Sequence, residues 1–163
     1  MKKLFLAVVT IIAAVTVNAQ TNFSIAGNIG VGTYTGATIV AGGDLQVDIP
    51  AGSGLKITAS AGYETFGFKL NLGTPYGTVK GHSSFIPLLA GAKFNLSTNL
   101  YGHAQLGYSI STTSGGGGAF TYAPSLGYMV SPNFDIAVKY LGLSNNGSTL
   151  GGVVARFAYT FGK

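Results

Sequence analysis

From residue 21 onward, large apolar side chains recur at alternate positions, and small or polar residues fill the gaps. Phe23, Ile25, Ile29 and Val31 alternate with Ser24, Ala26, Asn28 and Gly30. Leu45, Val47 and Ile49 alternate with Asp44, Gln46 and Asp48, and Leu55 through Tyr63 alternate with Lys56 through Glu64. The pattern returns at 100–110, 134–140 and 153–161, the last running Val153, Ala155, Phe157, Tyr159, Phe161. A period of two describes a strand with two unlike faces, because successive side chains leave a strand on opposite sides. No stretch after residue 20 sustains a 3.6-residue period, and glycine interrupts each segment that could have become a helix. With 84–95 and 118–130 added, the chain holds eight candidate strands.

The positions of the charges say which face meets which solvent. Only 8% of the 163 residues are charged, against about 25% in an average soluble domain. All four acids (Asp44, Asp48, Glu64, Asp135) fall on the non-greasy face, together with Lys56, Lys93, Lys139 and Arg156. Lys69 and Lys80 fall in a connection and Lys163 at the terminus, so no charge is left on the greasy face. A soluble sandwich or lipocalin would turn its charges outward and bury bulky residues. Here the face that carries the charges is otherwise small, rich in Gly, Ala, Ser and Thr, which suits the crowded interior of an eight-stranded barrel. The greasy face then meets lipid, where a mid-depth charge costs about 2–4 kcal/mol. Many of the 19 Phe and Tyr residues sit near strand ends, where aromatic girdles of a membrane barrel belong.

The connections fit the same architecture. Tight turns are read at 50–54, 97–99 and 131–133, and longer connections at 33–38, 69–82, 112–118 and 144–148. Alternating short turns and longer loops mark an up-and-down barrel with its turns on the periplasmic side. The expected fold is therefore all-β, an eight-stranded antiparallel up-and-down transmembrane β-barrel. Pro87 and Pro124 fall inside strands, and a bulge or strand end is expected near each, since proline removes a ladder donor.

Residues 1–19 read as an export signal. Lys2 and Lys3 form the basic start, Leu4 to Val17 an apolar run too short to span a bilayer, and Val17-Asn18-Ala19 the cleavage site. The mature barrel domain is then 20–163. With no cysteine, the chain has no disulfide, no thiolate metal site, no Cys nucleophile and no acylated Cys. Arg156 is the sole arginine and no basic cluster appears, which argues against nucleic acid as a partner. No cofactor or metal is expected.

Three stretches, IPLLAGAKFNLSTNLYGHAQLGYS (86–109), GGGGAFTYAPSLGYMVSPNFDIAVKY (115–140) and VVARFAYTFGK (153–163), give the chain a recognisable character. In them it resembles the small outer-membrane β-barrels of Gram-negative bacteria, the OmpA-like and OmpX-like domains, over essentially all of 21–163. The resemblance implies a place in the cell outer membrane among its lipids, and periplasmic chaperones and the barrel-assembly machinery as partners. It also implies that Phe157, Tyr159 and Phe161 act as the assembly signal, although Gly162 and Lys163 follow the last aromatic.

Three functional classes are open at this stage. The first is a structural or surface-interaction barrel with an unidentified external partner. Its lumen would be filled by the paired charges Asp44, Asp48, Lys56, Glu64, Lys93, Asp135, Lys139 and Arg156. Asp48 and Lys56 flank the 50–54 turn and are expected to face one another, and Asp44 is expected to balance Lys139 and Arg156. The second is a small pore or a ligand-holding barrel. The third is an outer-membrane lipid A hydrolase. His82 and Ser84 are two apart and share a strand face, and Glu64 on the preceding strand could orient the histidine, an arrangement that resembles the deacylases' His-x-Ser with an acid. His103 has no partner at ligand spacing and reads as a lumen residue. The glycines at 115–118 lack the Lys-Ser/Thr of a phosphate loop and read as a flexible connection.

Overall fold

The computed structural model describes residues 21–71, 78–113 and 116–161, without the side chains of 70, 71, 78 and 79. The export segment and Lys163 lie outside the described residues, as do parts of the 69–82 and 112–118 connections. Eight strands follow in order: β1 (Asn22–Gly32), β2 (Ala37–Gly52), β3 (Leu55–Asn71), β4 (Thr78–Asn95), β5 (Leu100–Ser111), β6 (Gly118–Ser131), β7 (Phe134–Asn145) and β8 (Ser148–Phe161). Each pairs antiparallel with its sequence neighbours, and β1 closes the barrel against β8 in register from Phe23↔Phe161 to Gly32↔Gly152. Closure leaves no strand edge unpaired, the condition for a sheet to sit in lipid.

The alternation sorts cleanly into two environments. The exterior carries a belt of large apolar residues, among them Ile25, Ile29, Leu45, Ile57, Leu106, Leu126 and Val138, each close to half or more exposed. Such a continuous apolar surface far exceeds what a water-soluble monomer tolerates. Aromatic side chains lie at both rims of the belt, with Phe94, Tyr128 and Phe161 towards the chain-terminal end and Tyr63, Tyr108 and Phe120 towards the other. The inward face instead holds Ser24, Asn28, Gln46, Thr58, Gln105 and Thr121, all buried.

The turns at the chain-terminal end are short. β2 and β3 are joined by two residues, and so are β6 and β7. At the opposite end, β7 and β8 are joined by Asn146-Gly147 with φ values of 47° and 83°. Two successive positive φ angles are the geometry of the hairpin turn whose twist matches the flanking strands, and Asn-Gly is the pair that adopts it at least cost.

Three features differ from the sequence reading. The 69–82 connection is mostly strand: β3 runs to Asn71 and β4 begins at Thr78, with Gly67↔His82, Phe68↔Gly81 and Lys69↔Lys80 in register. The 33–38 and 144–148 connections are likewise shortened by strand growth. Neither proline produces a bulge. Pro87 stays paired with Ser109 on β5, and the β3–β4 ladder lapses between Ala61↔Leu88 and Glu64↔Phe85 without changing register. Pro124 does the same between Tyr122↔Gly142 and Ser125↔Lys139. An antiparallel residue directs its N–H to one neighbour only, so a proline deletes a bond on one side and leaves the other ladder intact. Register shifts occur instead at Ala37/Val40, Pro50/Gly52 and Met129/Ser131, all near strand ends.

Candidate functional site: the lumen and the outer face of the β3–β4 hairpin

The inward side chains form tiers. Nearest the chain-terminal end, Lys93 donates to Asp48 at 2.9 Å. The Tyr101 hydroxyl donates to Asp135, and the Lys93 ammonium lies 4.8 Å from the centre of the Tyr101 ring. Lys56, Asn95, Met129 and Thr160 complete a hollow of about 150 Å³ at this mouth. Lys56 lines the same hollow as Asp48, and its charge acts on that carboxylate. The direct partner of Asp48 is Lys93, across the barrel on β4, and this corrects the expected Asp48–Lys56 pair. Lys56 lies opposite Pro50 in the β2–β3 register, whereas Asp48 lies opposite Thr58.

Asp44 is the hub of the middle tier. Arg156 approaches it in a fork, with Nη2 at 2.8 Å and Nε at 3.2 Å. The Lys139 ammonium lies 3.6 Å from Asp44 and 3.7 Å from Glu64, and Arg156 also reaches Asp135 at 3.7 Å. The Asn28 amide donates to both Asp44 and Glu64, tying the two carboxylates together. Gly42 makes this approach possible, because a Cβ there would run into the Glu64 carboxylate and the Tyr63 carbonyl. All these groups are almost fully withdrawn from solvent. Unpaired charge in such a place is strongly disfavoured, so the network must be compact. His103 bonds through Nε2 to Thr58 at 2.9 Å, and Gln105 donates to Ser60 at 2.8 Å. Among the described residues, no group of His, Asp or Glu is placed to hold a metal ion.

The upper tier is apolar. Val40, Phe66, Leu89, Leu141, Leu143 and Val154 pack into one buried cluster, flanked by Tyr34, Phe85 and Leu150. Phe66 meets Phe85 edge-on at 6.0 Å. Sequence reasoning missed this tier. Val40, Leu141 and Leu143 look like any other apolar strand residues, and only the inward parity of their strands marks them.

The hydrolase candidates are divided between the two sides of the wall. Ser84 pairs with Thr65 on the outer face, and their hydroxyls lie 3.0 Å apart. His82 is exposed on the same outward column. Glu64, however, points into the lumen beside Asn28 and Lys139, so the acid expected to orient His82 lies across the sheet from it. The period of two is the reason: Glu64 and Thr65 are adjacent in sequence and therefore face opposite ways. The aromatic residues Phe157, Tyr159 and Phe161 line the outer face of β8, with Tyr159 edge-on to Phe161 at 5.0 Å.

Solved structures share this architecture. The attachment protein Ail of Yersinia pestis in a phospholipid nanodisc aligns with a TM-score of 0.60 at 16% identity, covering 86% of this chain and 99% of that one. Neisserial surface protein A aligns at 0.52 and 12% identity, covering 86% and 97%. The outer-membrane enzyme PagL aligns at 0.50 and 11% identity, covering 83% and 98%. The fold is that of the small outer-membrane barrels. No protein-family model matches the chain, and no curated protein matches it in sequence. The likeness is one of architecture: an outer-membrane protein, a surface protein and an enzyme share it, so function must be argued from side chains.

Proposed function

We propose that the protein is a surface-interaction barrel of the outer membrane, exported through a cleaved leader and closed to solutes. The observation that carries this reading is the set of side chains that line the lumen. Its lower half is crossed by charge pairs centred on Asp44 and Asp48, and its upper half by the Val40–Phe66–Leu141 cluster. An ion moving through would have to part the first and dehydrate against the second. The hollow at the lower mouth, about 150 Å³, is well below the roughly 300–1,000 Å³ of ordinary ligand pockets, which weighs against the ligand-holding alternative. Assembly would proceed through periplasmic chaperones and the barrel-assembly machinery, with Phe157, Tyr159 and Phe161 as the recognised strand.

A hydrolytic role is disfavoured by the absence of an acid beside His82, since His82 and Ser84 lie on the outer face of the β3–β4 wall and Glu64 on its inner face. Ser84→Ala is accordingly expected to leave phosphorylated glycolipid substrates as it finds them, with no acyl release by either protein. Release by the wild type that vanishes in this variant would restore the enzyme. The decisive test of the main reading is conductance. Refolded protein in a planar bilayer is expected to produce no large steady current, and such a current would overturn the closed lumen.

A further inference from the structure

The exterior of the barrel carries no carboxylate side chain. All four acids of the chain point into the lumen. Lys56, Lys93, Lys139 and Arg156 are inward as well, which leaves Lys69 and Lys80 as the exterior cations among the described residues. These two lysines are direct cross-strand partners on β3 and β4, and both are exposed. Directly opposed residues have Cα atoms about 5 Å apart, and like charges so placed repel. Neither has an acidic partner among the described residues. Such a pair is stabilised by an anion that comes from outside the chain.

The same outward column changes character rung by rung towards the membrane middle. Below Lys69/Lys80 come Gly67/His82 and then Thr65/Ser84, whose hydroxyls are bonded to each other. The Thr112 hydroxyl bonds to the Ser84 carbonyl beside them. Next are Tyr63 and Ile86, both exposed, and then Ala61/Leu88. Tyr63 also borders an apolar depression of about 390 Å³ on the outer wall, shared with Ile25, Leu45 and Ala61. From the lysines to Tyr63 is six residues, about 20 Å along the strand and about 15 Å along the membrane normal once tilt is allowed for. The sequence of chemistries is therefore cation, imidazole, hydroxyl, aromatic, aliphatic.

We propose that this column binds one phosphorylated glycolipid of the outer leaflet, its phosphate on Lys69 and Lys80. The sugar would lie along the exposed His82 and the half-buried Thr65, whose hydroxyl the buried Ser84 holds from beneath, and one acyl chain against Tyr63 and the depression below it. The imidazole and hydroxyl rungs just below the lysines suit the hydroxyls and amides of a phosphorylated, acylated sugar, whereas a glycerophospholipid offers few polar groups beside its phosphate. This deepens the surface-interaction reading and rests on the outer-membrane placement in it.

The test uses the full mature barrel refolded in zwitterionic detergent, with bound lipid counted by native mass spectrometry. The probes are a bis-phosphorylated lipid A, phosphatidylglycerol and a soluble heparin oligosaccharide. One glycolipid is expected to stay on the wild type, with phosphatidylglycerol and the oligosaccharide held far more weakly. Lys69→Gln with Lys80→Gln is expected to weaken glycolipid retention about thirtyfold, the effect of two surface cations on an anionic lipid. Lys69→Arg with Lys80→Arg should restore it. Equal retention by the wild type and the double Gln variant would overturn the proposal, as would phosphatidylglycerol or the oligosaccharide binding as well as the glycolipid. A boiled-versus-unboiled gel shift on every sample reports the folded barrel. Loss of that shift in the wild type indicts the barrel reading, while a shifted barrel without glycolipid indicts the site alone.

Discussion

Arg156 shows how much a single buried side chain can be asked to do. Its guanidinium forks onto Asp44 and lies 3.7 Å from Asp135, joining the middle and lower tiers. Arg156→Ala would leave Asp44 with Lys139 at 3.6 Å as its remaining cation, beside the Asn28 amide. Breaking a buried pair from one side costs about 3–5 kcal/mol, because the remaining charge stays buried without its partner. The exposed Lys80→Ala should stay within about 0.5 kcal/mol of the wild type. Urea unfolding in lipid vesicles checks this pair of variants, and coincident midpoints would sink the claim that the lumen network holds the barrel together. Gly42 offers a second test. Gly42→Val pushes a branched side chain into the Glu64 carboxylate, and overpacking of this kind costs about 1–3 kcal/mol. The same unfolding assay should show it.

At the level of the strands, glycine and aromatic residues are used in pairs. Phe94 covers Gly102 and Tyr122 covers Gly142, each ring lying over the glycine directly opposite on the neighbouring strand. The ring shields backbone that glycine would expose, the arrangement known as aromatic rescue. Tyr122→Ala should therefore destabilise by up to about 1 kcal/mol, the upper range of a cross-strand pair, while Gly142→Ala should fare no better because its Cβ meets the same ring. The β3–β4 hairpin is the element with most consequence outside the wall. Because its strands run to Asn71 and from Thr78, replacing 72–77 by a short Gly-Ser linker should preserve both the gel shift and glycolipid retention. Replacing all of 69–82 should preserve the first and abolish the second.

The whole molecule is inverted relative to a soluble domain, with polar pairs inside and apolar residues outside. Its stability should respond accordingly. Leu45→Arg places a charge on the outer wall at a position 62% exposed and should cost about 2–4 kcal/mol in a bilayer. The folded barrel should also migrate differently from the boiled chain, since closure resists unfolding by detergent alone. Identical migration, together with recovery in the soluble periplasmic fraction, would contradict a membrane barrel.

Alternation and the placement of the eleven charges after residue 20 are local properties, and they sufficed to say which face of each strand turns inward and that the wall meets lipid. The parity of Asp44, Asp48, Glu64, Lys93, Asp135, Lys139 and Arg156 can be read directly from their neighbours. What parity cannot supply is the partner across the lumen. That depends on how far each strand is staggered when β1 meets β8, a relation between residues more than a hundred positions apart. Asp48 thus faces Lys93 rather than Lys56, and Arg156 finds Asp44. Turn chemistry likewise suggests a loop wherever Gly and polar residues gather, yet pairing with a neighbour drew 69–71 and 78–82 into strand and set Lys69 against Lys80. Tertiary closure alone decided these, because the free energy of an ion pair or a ladder bond depends on what lies opposite, and sequence spacing does not record what lies opposite.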